Sequence, residues 1–176
     1  MCSDDRIDHG GSRPEQADGG GGMAVESVMI FTATAHRGMA VRELFEICGR
    51  DHVQALPFVD ANGKITGRVT LKNVLRVSCL SEHVVEMAPL LSSSLSCVES
   101  AEEKALEIIG NPIEPYVQGP HQSILSDAPL IKALALMEKS DTSYIFVVDE
   151  GVFSGVITIQ GIAEKMSELA ASVPRR

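Results

Sequence analysis

Two short segments of the sequence place a threonine hydroxyl at the same point of a similar pattern. They read GRVTLKN over 67–73 and GVITIQG over 155–161, so that Thr70 and Thr158 correspond. Such a hydroxyl can contact a ligand, or it can suit a strand end and cap the following helix. Lys72 can neutralise a phosphate at the start of a helix, or it can be a solvated surface lysine. The repeated position favours a ligand contact for Thr70.

Other reactive residue types lack the spacing that catalysis or metal binding requires. The four cysteines form no CxxC pair and have no histidine nearby at ligand spacing, which argues against a zinc site. Three histidines lie far apart, with no Ser or Cys partner in a recognisable motif (His52, His83, His121). The DANG turn over 60–63 begins like a calcium loop but lacks the later oxygen ligands. The sequence therefore predicts no catalytic residues, no metal site and no enzymatic activity.

The composition is that of a globular protein with an aliphatic core. The 176 residues are 44 % hydrophobic and 22 % charged, but only 4 % aromatic. The net charge of −9 argues against nucleic acid and anionic membrane surfaces as main partners. No apolar run reaches the about 20 residues of a membrane span, and the acidic N-terminus is not a secretory signal. With cysteines that form no pairing pattern, we expect free thiols and a cytoplasmic protein.

The N-terminal segment differs in character from the rest of the chain. Residues 1–22 hold five acidic residues and a run of four glycines, with Ile7 as the only large aliphatic residue. Such a stretch buries too little apolar surface to offset the entropy lost on ordering. We predict a disordered tail over 1–22, and Met23 is a second candidate for the first residue of the protein.

The remaining sequence contains one pattern twice. Apolar runs and helical spacing predict the order β-α-β-β-α in each copy, which makes an internal repeat. The first copy has predicted strands and helices over 28–35, 41–48, 55–59, 65–71 and 72–80. The second has them over 124–125, 130–137, 144–149, 155–159 and 160–171. We place the first domain at 23–80, a linker at 81–104 and the second domain at 105–172.

Two features are predicted between the copies. SAEE at 100–103 forms a capping box, and apolar residues at helical spacing follow it, so a helix is expected there. Gly110 and Pro112 end that helix. LLSSSLS at 90–96 is predicted to be a mobile linker.

The two copies resemble CBS domains, β-α-β-β-α modules that occur as tandem pairs called Bateman modules. The resemblance rests on LPFVDANGKITGRVTLKNVL at 56–75 and YIFVVDEGVFSGVITIQGIA at 144–163. In both, a strand ending in Val-Asp precedes a Gly-x-Val/Ile-Thr strand that leads into a helix. GNPIEPYV at 110–117 and SDAPLIKALALM at 126–137 resemble the opening segment and first helix of such a domain. The resemblance covers about 26–172.

The resemblance implies an α/β (α+β) fold. Two β-α-β-β-α CBS repeats pack sheet to sheet with pseudo-twofold symmetry and leave two clefts between them. It also implies a homodimer, for which Val74, Leu75, Ile162 and Met166 are candidate contacts on helix faces. The family's role is regulatory: the clefts bind adenosyl ligands such as AMP, ADP, ATP or S-adenosylmethionine, and occupancy shifts the conformation of a partner or attached domain.

The family's nucleotide signature is Gly-h-x-Thr/Ser-x-x-Asp, in which the hydroxyl contacts phosphate or ribose and the Asp holds the ribose hydroxyls. Neither copy has the Asp. Asn73 stands in its place in the first copy and can accept a hydrogen bond without charge assistance, whereas Gly161 in the second has no side chain. The implied ligand contacts are Thr70, Lys72, Asn73, Leu56 and Pro57 in the first copy and Thr158, Ile145 and Phe146 in the second.

Two functions are compatible with this sequence. One is a stand-alone regulatory module that binds an adenine nucleotide or related adenosyl ligand in a cleft between the repeats and signals by conformational change. The alternative is a degenerate pair that serves for dimerisation, or for interaction with a regulated protein partner, without a ligand. The two missing aspartates favour the alternative.

Overall fold

The computed structural model describes residues 23–90, 101–119 and 121–172. The predicted tail over 1–22 and nearly all of the predicted mobile linker over 90–96 lie outside these residues. No helix within the described ranges combines the length and the apolar character that a bilayer crossing requires.

The first repeat is a three-stranded sheet with a helix between its parallel strands. β1 (Ala35–His36) runs parallel to β2 (Ala55–Val59), which pairs antiparallel with β3 (Ile65–Thr70). α1 (Val41–Asp51) connects the two parallel strands. Its apolar residues fall on one face, and that face is buried. α2 (Leu71–Cys79) follows β3 directly.

The second repeat has the same order and pairing. β4 (Ser123–Ile124) is parallel to β5 (Tyr144–Asp149), which is antiparallel to β6 (Val152–Thr158). α5 (Leu130–Lys139) connects β4 to β5, and α6 (Ile159–Ser172) follows β6. Each antiparallel pair has a register shift at the same relative place, Phe58/Val59 and Val147/Val148. The predicted α+β fold of two β-α-β-β-α repeats is confirmed.

Two helices lie in the connection between the repeats. α3 (Glu82–Met87) follows α2, and α4 (Ala101–Ile108) confirms the helix that the sequence predicts there. α4 packs against α2, and its last residue, Ile108, is buried in the core of the first repeat. The connection is therefore attached to the first repeat.

The predicted strand over 28–35 is wrong for most of its length. Val25–Val28 forms a 3-10 turn, Ile30 makes a single antiparallel bridge to Val156, and only Ala35–His36 joins the first sheet. The first two residues of that run instead serve the other repeat, because Val28 is buried in the core of the second repeat and Met29 packs against it. The apolar pattern therefore correctly indicates that part of this segment is buried, but the buried part does not form a strand.

Each repeat is completed by a segment that precedes the other repeat. We call 23–30 and 109–118 the crossing segments. The first lies on the second repeat, where Val25 N donates to Ala128 O at 3.0 Å. The second lies on the first repeat, where Ile113 N donates to Met39 O at 3.0 Å, and Ile113 is fully buried in the first core. The two exchanges are related by the pseudo-twofold symmetry.

Two glycines lie where the crossing segments meet the sheets. Ile30 and Val156 exchange backbone hydrogen bonds of 2.8 and 2.9 Å, and Arg68 and Gln118 exchange bonds of 2.7 and 2.8 Å. A Cβ on Gly67 would lie 2.7 Å from the carbonyl oxygen of Gln118, and one on Gly155 would lie 2.8 Å from that of Ile30. Both positions are glycine because the other backbone passes too close for any side chain.

The two sheets share one apolar interior. Phe146 on β5 and Val156 on β6 are fully buried among the core residues of the first repeat. The Phe146 ring lies 5.5 Å from that of Tyr144 and 6.0 Å from that of Phe153, with the latter pair edge to face. The burial of Phe146 and Val156 against the first core packs the repeats sheet to sheet, while the ring contacts hold Phe146 in place within the second sheet.

Gly67→Ala should lower the free energy of unfolding by about 1–3 kcal/mol, the usual cost of forcing extra volume into a packed site. The cause is the contact of the new methyl group with Gln118 O, and urea denaturation followed by circular dichroism measures it. Gly49→Ala is the matched control, because a Cβ there meets nothing within 4 Å and alanine favours the helix. Equal stability of the two variants would contradict the role given to the crossing segment.

Candidate functional site

A cleft of about 390 Å³ opens between the repeats beside α2. We call it the first cleft. One wall is the end of β3 and the start of α2, the opposite wall is the loop over 140–144, and Gln54 and the crossing-segment residue Gln118 complete the lining. Among the predicted ligand contacts, the cleft brings together Thr70, Lys72 and Asn73.

Both signature threonines cap a helix. The Oγ1 of Thr70 accepts a hydrogen bond of 3.0 Å from the backbone N of Asn73, and the Oγ1 of Thr158 accepts one of 3.0 Å from the backbone N of Gly161. The capping role considered from the sequence is therefore confirmed for both. Thr70 also lines the first cleft, and the capping bond leaves the donor of its hydroxyl unused.

Both ends of the Asn73 side chain have protein partners. Its Nδ2 donates to the backbone oxygen of Tyr116 at 2.9 Å, and its Oδ1 accepts from Nη2 of Arg76 at 3.1 Å. The carbonyl partner requires a donor and the guanidinium requires an acceptor, so the two together fix the orientation of the amide. Asn73 is only 7 % exposed. Its amide ties α2 to the second crossing segment.

A second hydrogen bond strengthens this attachment. Ser78 on α2 donates from its Oγ to the phenol oxygen of Tyr116 at 3.1 Å. In the second repeat Gly161 corresponds to Asn73, and a Cβ there would lie 3.7 Å from the backbone oxygen of Val28. Gly161 has no side chain to reach that carbonyl, so the side-chain tie exists in the first repeat only.

Positive charge is concentrated in the first cleft. Arg68, Lys72 and Arg76 line it, and Asp141 is the one carboxylate among the described lining residues. In the described part of the chain no acidic side chain forms a salt bridge with Arg68 or Lys72. The corresponding residues of the second repeat, found by aligning Gly67 with Gly155, are Val156, Gln160 and Glu164. These pseudo-symmetric positions therefore differ sharply in charge.

Arg68 shapes the electrostatics around it. Burial raises the pKa of Tyr144, while the positive charge of Arg68 and its hydrogen bond oppose that rise. Burial lowers the pKa of His121, and the Arg68 charge lowers it further. Burial thus favours the neutral form of both rings, so neither ring neutralises the positive charge of Arg68.

Two buried polar atoms of the cleft-lining residues lack hydrogen-bond partners among the described residues. They are Nε of Arg68 and Oγ of Ser140. Buried polar groups are normally hydrogen-bonded, so such atoms mark a place where a bound group can supply partners. Across the described ranges, no three His, Cys, Asp or Glu side chains group as metal ligands. The donors present suit an anion with several oxygen acceptors.

The remaining predicted contacts do not line the first cleft. Leu56, Ile145 and Phe146 are fully buried, Pro57 and Thr158 are also buried, and all five lie inside the cores or at the end of β6. The reason is that β2 and β5 are central strands of their sheets, covered on both faces. Their assignment as ligand contacts stays a prediction, and contact with a ligand would require these cores to open.

Several residues that line the first cleft were not predicted from the sequence. Arg76 lies one helical turn beyond Lys72, a spacing that places both on one side of α2. Arg68 precedes Thr70 by two residues in a strand, which puts them on the same face. These two signals were readable from the sequence. The loop over 140–144 and Gln118 had no local signal, because only the packing of the repeats brings them to the cleft.

Asn73→Asp should lower the free energy of unfolding by about 1–3 kcal/mol, the penalty for leaving a buried carbonyl without its donor. The carboxylate keeps the size of the amide and the Arg76 contact but cannot donate to Tyr116 O. Thermal and urea denaturation at neutral pH measure the loss. Asn62→Asp, the same change in an exposed turn, should stay within about 0.5 kcal/mol. An unchanged stability of Asn73→Asp would show that the tie to Tyr116 is not significant.

Comparison with solved structures supports the fold. The CBS domain pair of protein MJ0100, solved in complex with 5-methylthioadenosine and S-adenosyl-L-methionine, is 20 % identical with a TM-score of 0.58; the match covers 84 % of this chain and 98 % of that one. A CBS domain-containing protein of unknown function from Bacillus anthracis is 17 % identical with a TM-score of 0.56, over 83 % of this chain and 94 % of that one. At these identities the likeness concerns the fold. No curated protein sequence matches the chain.

The sequence family gives the more direct result. The CBS domain model matches residues 25–79 and again residues 114–168. The two matches contain the two sheets, both signature threonines and α2 with its cationic residues. They fall on the two repeats in tandem, in the order that the structure shows. The chain therefore belongs to the CBS domain family, as a tandem pair of the kind called a Bateman module.

Proposed function

We propose that the protein is a regulatory module that binds an adenine nucleotide or related adenosyl ligand in the first cleft and has no catalytic activity of its own. The observation that carries the proposal is the first cleft itself, where Thr70, Lys72 and two arginines surround about 390 Å³ between the repeats. The MJ0100 domain pair was solved with two adenosyl ligands. That likeness supports the ligand class, with AMP, ADP, ATP and S-adenosylmethionine as candidates.

A ligand in the first cleft would contact both repeats. α2 belongs to the first repeat and the 140–144 loop to the second, and a hydrogen bond from Ser143 to Gln54 already joins the two beside the cleft. A ligand that fits one spacing of these walls better than another shifts the equilibrium between the two spacings. α4 packs on α2, so the connection between the repeats is positioned to transmit such a shift.

The proposal gives the chain one site for a phosphate-bearing ligand. The second cleft has Gln160, Gly161 and Glu164 where the first has Lys72, Asn73 and Arg76. A negative charge in place of a positive one disfavours any phosphate-bearing ligand there. Its ligand contacts from Thr158, Ile145 and Phe146 are accordingly proposed only for an uncharged ligand.

An adenine nucleotide at one hundred times its dissociation constant should stabilise the native state by about 2.7 kcal/mol. For a protein of this size that corresponds to a rise in melting temperature of roughly 5–10 °C. Differential scanning fluorimetry with AMP, ADP, ATP and S-adenosylmethionine tests this, and calorimetry should give one site per chain. No shift with any of the four at millimolar concentration would favour the interaction module without ligand.

A second function, dimerisation, is favoured by exposed apolar side chains on α2 and α6. Leu75 and Met166 are 47 % and 49 % exposed, in keeping with the expectation that they are free to contact a second copy. Val74 and Ile162, the other two candidates, are instead buried in the cores of their own repeats. We propose a cytoplasmic homodimer that uses Leu75 and Met166. Cys48 and Cys79 are free thiols, which fits a reducing compartment.

The double variant Leu75→Glu/Met166→Glu should be monomeric in multi-angle light scattering at micromolar concentration, where the parent protein should be dimeric. Two carboxylates in an apolar interface lose hydration without gaining partners. Leu125→Glu is the control, because Leu125 is 52 % exposed but lies outside both helices, and it should remain dimeric. A monomeric parent protein would end the dimer proposal.

A further inference from the structure

We infer that the first cleft recognises its ligand through phosphate groups, with Arg68, Lys72 and Arg76 as the binding residues, and that the Asn73 position does not read the ribose. This inference rests on the proposed function and narrows its ligand class. Nucleoside polyphosphates are then preferred over adenosine and over S-adenosylmethionine, and loss of a ribose hydroxyl has little effect.

The first argument is the state of the Asn73 side chain. A residue that holds ribose hydroxyls must present an acceptor to them, but Asn73 is buried, its Nδ2 donates to Tyr116 O, and one lone pair of its Oδ1 already accepts from Arg76. Freeing the amide would leave the buried Tyr116 carbonyl unpaired, which opposes any gain from the ribose. The position therefore serves the attachment of α2 to the crossing segment.

The second argument is the placement of charge. The chain carries a net charge of −9, yet three of its cationic side chains line this one cleft with a single carboxylate. The N-terminus of α2 also faces the cleft, and its dipole favours an anion. Arg68 and Arg76 can form charge-assisted hydrogen bonds with phosphate oxygens, which are about twice as strong as neutral ones. S-Adenosylmethionine has no phosphate oxygens; its one carboxylate can accept such a bond, but its sulfonium and ammonium cations are repelled by the same surface.

The third argument concerns the groups without partners. Nε of Arg68 and Oγ of Ser140 are buried in residues on opposite walls of the cleft, and both are hydrogen-bond donors without an acceptor among the described residues. Both atoms are buried, so they would meet a ligand only if their side chains turned toward the cleft; phosphate oxygens, which are acceptors, would then satisfy donors from both walls. Ribose hydroxyls would compete for the same atoms less well, because they carry no charge.

The ligand panel for the test is ATP, 2′-deoxy-ATP, AMP, adenosine, S-adenosylmethionine and inorganic tripolyphosphate, titrated calorimetrically into the full chain. We expect 2′-deoxy-ATP to bind within about threefold of ATP. AMP should bind about tenfold more weakly than ATP and adenosine more weakly still, since one charge-assisted contact is worth about a decade of affinity. Tripolyphosphate alone should displace ATP.

Lys72→Gln provides the variant test, because glutamine is the residue at the corresponding position of the second repeat, Gln160. It should weaken ATP about tenfold and leave adenosine unchanged. Lys64→Gln removes the same charge from an exposed turn outside the cleft and should change neither affinity. An equal loss in the two variants would mean that only overall charge matters, and it would overturn the inference.

The remaining outcomes separate the inference from the proposed function. If no adenosyl compound binds, the proposed function itself fails. If adenosine or S-adenosylmethionine binds as tightly as ATP, the proposed function stands and the phosphate inference is overturned. A loss of more than tenfold for 2′-deoxy-ATP would also overturn it, and Asp141→Asn would then show whether that exposed carboxylate on the opposite wall is the ribose contact.

Discussion

The exchange of crossing segments is the constraint on which the rest of the structure depends. Neither repeat has a complete core alone, since Val25 and Val28 fill the second and Ile113 and Tyr116 fill the first. Each crossing segment is held to the sheet of the other repeat by a pair of backbone hydrogen bonds, and a glycine of that sheet lies next to each pair. Because each repeat needs the chain that leads into the other, the two fold as one body, and the clefts between them have defined walls.

The crossing segments also explain how the side chains at the two pseudo-symmetric sites can differ. In the first repeat the crossing segment presents the Tyr116 carbonyl to α2, and the Asn73 amide is satisfied there. In the second repeat the corresponding carbonyl belongs to Val28 and faces Gly161. The fold imposes equivalent backbones on both sites but leaves their side chains independent, so charge and polarity could accumulate in one cleft without disturbing the other.

Capping adds a local reason why a threonine recurs at each strand-to-helix junction. Thr70 and Thr158 each accept the backbone N–H three residues later, which satisfies one of the unpaired donors at a helix start. The junction must be sharp because β3 runs directly into α2, as β6 runs into α6. The capping hydroxyl of Thr70 is thereby placed in the wall of the first cleft, where it can still donate a hydrogen bond to a ligand.

The sequence by itself determined the repeat, the order of its elements and the position of the threonines, because strand and helix periodicity and turn chemistry are local properties. It also predicted that Lys72 and Asn73 would lie together at the start of α2. Only the tertiary structure decided that the segment after Met23 serves the other repeat, and that Leu56, Ile145 and Phe146 do not line the first cleft. Contacts between residues distant in sequence leave no local pattern. The partner of the Asn73 amide 43 residues away, the Tyr116 carbonyl, therefore became visible only once the chain was folded.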